Sequence, residues 1–192
     1  MAVSRLWEQD LDLNKIEDLC YGAPQSGMIE EVCEACRQQE FIWTPGVREM
    51  KPSDVMDVTV LLRKYLSQFF IAPVFSEDDV SHWFLPRVGV VASYVNKTSD
   101  NIADFFSYTR QKSRRGGEFV STVARLFYYA TTTSMVPLGR VIRDALLTAA
   151  YQQCDFFIAD GFMNNRTFLE ELRFKRCNGK IQLSLNNYPM DV

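Results

Sequence analysis

Between Val88 and Thr133 the chain presents three β-rich runs in succession, "VGVVASYV", "IADFFSYT" and "EFVSTVARLFYYATTT". Valine, threonine, tyrosine and phenylalanine suit the pleated, half-buried surface of a strand. The polar stretch "NKTSDN" separates the first two runs and predicts an antiparallel hairpin. A basic, glycine-containing loop, "RQKSRRGG", leads into the third. Such a sheet has apolar faces that must be covered, and the flanking sequence supplies helices to cover them. Ser53 is placed to cap a helix of about 16 residues on which Val55, Val58, Leu61, Leu62, Tyr65, Leu66 and Phe69 recur at three and four. Ser76, followed by Glu77, Asp78 and Asp79, predicts a second helix that carries Val80 and Trp83 and stops before Pro86. Beyond the strands, Pro137 suits a first helical turn, and Leu138, Val141, Ile142, Ala145, Leu146 and Ala149 lay an apolar stripe.

The chain closes on a short buried strand, "DFFIA", a helix over "NNRTFLEELRF", and a last strand, "KIQLSL". In the helix Thr167 and Glu170 are spaced as a capping box, with Phe168 and Leu172 facing inward. After Pro45 the order is therefore α-α-β-β-β-α-β-α-β. It predicts a three-layer α/β domain: a mixed, mainly antiparallel sheet flanked by helices. The stretch "DLNKIEDLCYGAPQSGMIEEVCEACRQQ" differs, being acidic, helix-leaning and broken at Gly22-Ala23-Pro24. It predicts two short helices in an N-terminal helical appendage over residues 1–44, with a boundary at Pro45-Gly46 and the domain over 45–192.

The composition is that of a packed globular chain, with 47% hydrophobic and 13% aromatic residues. A formal net charge of −3 gives no basic excess to draw it to nucleic acid or anionic lipid. No apolar run approaches the ~20 residues of a membrane span. Five cysteines and the absence of a signal peptide predict reduced thiols in a cytoplasmic protein. Cys33 and Cys36 have CxxC spacing, but there is no second pair and His82 is the only histidine, so they read as small helix positions and no metal is expected. His82 itself reads as a structural residue beside Trp83. The sequons at Asn96 and Asn165 are coincidental in such a chain.

The strand–helix–strand closing unit is similar to that of the GCN5-related N-acetyltransferase fold. Several longer motifs narrow this. "LLRKYLSQFFIAPVFSEDDVSHWFLP", "IADFFSYT", "FYYATTT", "PLGRVIRDALLTAA" and "NNRTFLEELRF" occur in the order found in N-myristoyltransferases. The resemblance covers about residues 45 to 188 and only the C-terminal half of that enzyme. It implies an acetyltransferase-like fold and a transferase that moves myristoyl from myristoyl-CoA, its co-substrate, to an N-terminal glycine. The C-terminal half would supply much of the peptide groove, and the other half the myristoyl-CoA pocket and oxyanion site.

Carried over residue by residue, Ser113 falls on a groove serine and Arg125 on a groove tyrosine. Asn178, Gly179, Lys180 and Ile181 fall on an Asp-Gly-x-Leu turn beside the substrate's N-terminal glycine. The family's catalytic base is its C-terminal carboxylate. Here only "PMDV" follows Tyr188, so that carboxylate is expected to fall short of the substrate amine, and no catalytic residue is assigned. The implied partners are proteins or peptides with an N-terminal glycine, together with a separate myristoyl-CoA-binding half; the face that half would have met needs a cover, either the N-terminal helices or a homodimer. Two other readings remain. One is a standalone acyl-CoA-dependent acetyltransferase, with "RRGGEF" gripping pyrophosphate through Arg114 and Gly117, although Phe119 takes the last small position. The other is a truncated, non-catalytic relative that binds a peptide or partner.

Overall fold

A computed structural model describes residues 2–11, 44–98, 101–115, 118–132 and 138–183. Seven strands form one sheet: β1 (Ala2–Asp10), β2 (Val47–Glu49), β3 (Val91–Thr98), β4 (Asn101–Arg115), β5 (Glu118–Thr131), β6 (Phe156–Asp160) and β7 (Lys175–Leu183). Their order across the sheet is β2-β3-β4-β5-β6-β1-β7. The helices are α1 (Val55–Leu66), α2 (Glu77–Phe84), α3 (Leu138–Tyr151) and the single turn α4 (Arg166–Leu169). Every neighbouring pair of strands is antiparallel except β5 and β6.

The β3–β4 hairpin forms where the sequence predicts it, with Val91 opposite Thr109 and Val95 opposite Phe105. Two loops turn out otherwise. The β-rich run from Val88 starts with a turn: Gly89 has φ +74 and the Arg87 and Val91 backbones bond to each other, so the strand begins only at Val91. The basic stretch expected to be a loop is instead the end of β4, with Gln111, Lys112 and Ser113 paired to Val123, Thr122 and Ser121. The pairing with β5 satisfies the backbone groups of this stretch, and Arg110 turns to donate to the Gln152 carbonyl at 2.9 Å.

Alternation along the strands divides the side chains between two faces. On one face Val95, Phe105 and Ala130 pack with Val58, Leu61 and Leu62 of α1 and Val80 and Phe84 of α2. Phe84 makes edge contacts with Phe75, Phe105 and Tyr128. On the other face Tyr108, Ala124, Phe157 and Ala159 pack against Val141, Ile142, Ala145, Leu146 and Ala149 of α3 and Phe168 and Leu172 near α4. Each large side chain buried this way stabilises the fold by about 2–3 kcal/mol.

The predicted caps are met unevenly. Ser76 caps α2 as expected: its Oγ accepts the Asp79 amide at 3.1 Å, and Asp79 Oδ2 accepts the Ser76 amide at 2.9 Å. The start of α1 is set by Asp54, not Ser53. A 3-10 turn over Pro52–Asp54 precedes the helix. Asp54 accepts the Lys51 amide at 2.8 Å and a two-pronged contact from Arg48 at 2.7 and 2.8 Å. Asp54 stands at the N-cap of α1 without a capping bond to it, its carboxylate being taken by Arg48 and by the Lys51 amide of the preceding turn. At the closing unit, the Thr167–Glu170 capping box does not form. Thr167 Oγ1 donates instead to the Asn164 carbonyl at 2.6 Å, and Asn165 occupies the cap position. Asn165 spends its side chain on Tyr129, whose hydroxyl donates to Oδ1 at 2.7 Å, and on the Asp160 carbonyl, which accepts Nδ2 at 2.8 Å.

The expected boundary at residue 45 is crossed by the sheet. Residues 2–10, assigned by sequence to a helical appendage, are strand β1 between β6 and β7. "DFFIA" and the described part of "KIQLSL", residues 180–183, thus belong to one sheet but are not neighbours, since β1 fills the gap between them. "AVSRLWEQD" alternates weakly, and only the empty slot between two strands makes it a strand. The two helices expected within residues 12–39, and Cys20, Cys33 and Cys36 with them, lie outside the described residues. No described helix is long and apolar enough to cross a membrane.

Candidate functional site

The helices α1 and α2 cover only the β3–β5 end of their face. Farther along that face, Leu6, Val123, Phe156 and Ile158 are half-buried and belong to neither core. Among the described residues no helix covers this area, and it is where the sequence-derived site residues must be placed. Arg125 stands opposite Thr109 on β4 and Ile158 on β6, half-buried. Ser113 is exposed and opposite Ser121, two alternations along from Thr109, so it shares the face of Arg125. Ile181 pairs with Ser4, and Leu6 pairs with Asp160. By alternation along β1, Ile181 lies on that same face.

The Asn178–Ile181 segment is not a turn. It lies within β7, where Cys177, Asn178 and Gly179 together oppose Leu6, because the register shifts between Arg5↔Lys180 and Trp7↔Arg176. Such a bulge inserts extra residues into an otherwise continuous strand and bends it locally. Sequence places a glycine there, and a bulge uses it as readily as a turn does.

Sheet geometry fixes how far apart these residues are. Ser113 on β4 and Asn178 on β7 are separated by four strand spacings, about 19 Å, and by six residues along the strands, about 20 Å. They are not brought together. Arg125 lies between them, about 14 Å from Ser113 and about 16 Å from Asn178. The residues mark a diagonal of about 27 Å across one face, the span of an extended peptide of about eight residues.

The structure adds a residue that the sequence reading did not single out. Asp160 follows Ile158 by one alternation on β6 and faces the same side. Burial pushes its carboxyl above the usual carboxylate range, opposed by the Phe162 amide and by the charge of Arg125. Its Oδ1 accepts the Phe162 amide at 3.0 Å and Asn165 Nδ2 at 3.3 Å, and Oδ2 has no hydrogen bond among the described residues. The signal was present in "FFIAD", where alternation puts Asp160 on the side of Phe156 and Ile158. Nearby, Tyr128 is also raised by burial and by the Asp160 charge.

His82 is exposed and stands edge-on to Trp83 at 4.9 Å. Asn96 and Asn165 of the two sequons are both buried, with Asn96 donating to Asp104 at 3.2 Å. Among the described residues no cluster of histidine, cysteine, aspartate and glutamate is arranged to hold a metal ion.

The comparisons with known proteins bear on this architecture. Residues 22–192 match the family model described as "Myristoyl-CoA:protein N-myristoyltransferase, C-terminal domain". The chain is 33% identical to glycylpeptide N-tetradecanoyltransferase 1 of Arabidopsis thaliana over 98% of its own length and 44% of that protein's. In fold it is similar to Saccharomyces cerevisiae N-myristoyltransferase, solved with bound myristoyl-CoA, with a TM-score of 0.70, 24% identity, and coverage of 93% of this chain and 46% of that one. It also resembles a GCN5-related N-acetyltransferase from Anabaena variabilis, with a TM-score of 0.55, 10% identity, and coverage of 93% of this chain and 38% of that one. The chain therefore spans somewhat less than half the length of these relatives, and it belongs to the N-myristoyltransferase family as its C-terminal, acetyltransferase-like domain.

Proposed function

We propose that this chain is the peptide-binding half of an N-myristoyltransferase and works with a separate myristoyl-CoA-binding half. Family membership over residues 22–192 is the observation that carries the reading. In the reaction the amine of an N-terminal glycine attacks the thioester carbonyl of myristoyl-CoA. A tetrahedral oxyanion forms, the carbon–sulfur bond breaks, CoA leaves as its thiolate, and the ammonium proton passes to a base. The part proposed for this chain is to align the glycine segment along the sheet face that carries Ser113 and Arg125, with these two and the Asn178, Gly179 and Ile181 bulge region as its contacts. Alignment of the nucleophile is itself a large part of such catalysis.

The standalone acetyltransferase reading loses its main support. The Arg114-to-Phe119 segment joins two paired strands, so no helix N-terminus follows the glycines to hold a pyrophosphate.

Calorimetry with an N-terminal glycine peptide and with its N-acetylated form tests the proposal, alongside titration with myristoyl-CoA. The expected result is binding of the free-amine peptide, weaker binding of the acetylated one, and transfer only when the complementary half of a relative is added. Submicromolar myristoyl-CoA affinity with turnover by this chain alone would establish a complete single-domain acyltransferase instead. Equal binding of the two peptides would remove the peptide assignment.

A further inference from the structure

The bulge in β7 holds the chain's one Asn-Gly step, Asn178-Gly179. An asparagine followed by glycine has a reaction of its own, because glycine carries no side chain to keep its amide nitrogen away from the asparagine Cγ. That nitrogen attacks the side-chain carbonyl. The new N–C bond closes a succinimide ring, the bond from Cγ to the amide nitrogen breaks, and that nitrogen leaves as ammonia with the proton lost by the Gly179 amide. Water then opens the ring at either carbonyl. One product is an ordinary aspartate. The other is isoaspartate, whose main chain runs through the former side chain and is longer by a single carbon.

A regular strand prevents this ring closure. Its amides are fixed by the ladder, and closure needs backbone torsions outside the β region. The setting of Asn178 lifts that restraint in two ways. Pairing with β1 passes from Arg5↔Lys180 to Trp7↔Arg176, so Cys177, Asn178 and Gly179 have only Leu6 opposite them. Residues in excess of the ladder are left unpaired. In addition, β7 is the edge strand, so among the described residues no neighbour pairs with its other side. The reaction is internal to the two residues and requires no ligand or partner chain.

The chain contains a comparable step that the fold does restrain. Asp160-Gly161 can close the same ring with loss of water. Its Gly161 amide, however, donates to Ser4 Oγ at 2.6 Å, and Asp160 Oδ1 accepts the Phe162 amide at 3.0 Å and Asn165 Nδ2 at 3.3 Å. Composition marks both steps as reactive, and strand pairing separates them.

We propose that Asn178 is a self-modification site, at which the Asn178-Gly179 step deamidates to aspartate and isoaspartate in the folded protein. The conversion adds a negative charge to the bulge. A further consequence rests on the transferase reading, in which this region contacts the substrate's glycine: the aspartate form holds the cationic amine more tightly than the amide form.

Incubation of the full chain at physiological temperature and mildly alkaline pH tests the site, read by peptide-mapping mass spectrometry and by enzymatic methylation of isoaspartate. A synthetic peptide of residues 173–183 is the reference. Asn178 is expected to convert within about tenfold of the peptide's rate, because edge and bulge positions open at little cost, whereas a fully restrained site would lag by about a thousandfold or more. Asp160 should yield no isoaspartate over the same period. Asn178→Gln should abolish the reaction, because the larger ring it would close forms far more slowly. Slower conversion of Asn178, or isoaspartate appearing as fast at Asp160, overturns the proposal. Asn178→Asp supplies the aspartate form with an unaltered main chain, and calorimetry should show it binding the free-amine glycine peptide about threefold or more tighter than the fresh chain. Equal affinity removes that consequence. Deamidation with no peptide binding by either form removes the transferase reading and leaves the modification site standing.

Discussion

At the scale of single residues, two buried carboxylates behave in opposite ways. Asp54 is fully enclosed and gripped by Arg48, whose hydrogen bonds hold the carboxyl below the usual carboxylate range. A depressed value contributes stability that is present above the unfolded-state value of about 3.9 and is lost as pH falls through the folded-state value. Asp54→Ala, which also orphans the Lys51 amide, should cost about 2 kcal/mol at neutral pH by urea unfolding, and the deficit should shrink on acidification. Asp144 lies on buried α3, accepts the Thr44 amide at 3.1 Å, and is pushed above the usual range by burial. A raised acid has the reverse sign. Its charged form penalises the fold above the folded-state value, and that penalty is relieved as pH falls toward the unfolded-state value. Asp144→Asn keeps an acceptor for Thr44 without the charge. It should equal or exceed the wild type in stability at neutral pH and lose that advantage in acid. Asp144→Leu, which leaves the amide unpaired, should cost about 1–3 kcal/mol.

Elements differ in how locally they are decided. The helix α2 is short, and its start depends on the reciprocal bonds between Ser76 and Asp79. Ser76→Ala should lower the global stability by about 1 kcal/mol, read as a shift in the denaturation midpoint without a change in slope. The link from β2 to β3 depends on close approach. Gly46 has φ +93, and a β-carbon there would stand 2.8 Å from Asn96 Oδ1 and 3.0 Å from the Lys97 carbonyl. Strand β7 lies at the edge of the sheet, with exposed Lys175 and Arg176 and a bulge that interrupts its register. Charge and irregularity are the usual protection of an edge against further pairing. Arg176 also lies 4.9 Å over the Trp7 ring, which ties the edge to β1.

For the whole molecule, the strand order makes the first ten residues structural. Strand β1 bonds to β6 on one side and β7 on the other. A chain begun at residue 45, the boundary that composition suggests, would leave β7 with no neighbour and bare one edge of β6. Its backbone groups would then lack partners, at a cost comparable to many lost hydrogen bonds. Such a truncation should lose cooperative thermal unfolding and expose apolar surface to dye. A sharp transition near that of the full chain would show that β1 is dispensable.

The sequence by itself determined most elements between residues 53 and 183. The heptad-like spacing of α1, the stripe on α3, the Ser76 cap and the β3–β4 hairpin depend on neighbours within a few residues, and local periodicity records such neighbours. The motif order also fixed the family, since it requires no knowledge of spatial placement. Tertiary structure alone decided the rest. That residues 2–10 form a strand follows from a vacancy between β6 and β7, which lie more than a hundred residues away in the chain. That Asp54 rather than Ser53 precedes α1 follows from the 3-10 turn over Pro52–Asp54, which the Asp54 bonds to Arg48 and the Lys51 amide hold. That Ser113 and Asn178 lie at opposite ends of a diagonal, with Arg125 and Asp160 between them, follows from strand order. A sequence motif specifies which residues are present, but which strand lies beside which is set by the packing of non-local surfaces, and that packing leaves no local period in the chain.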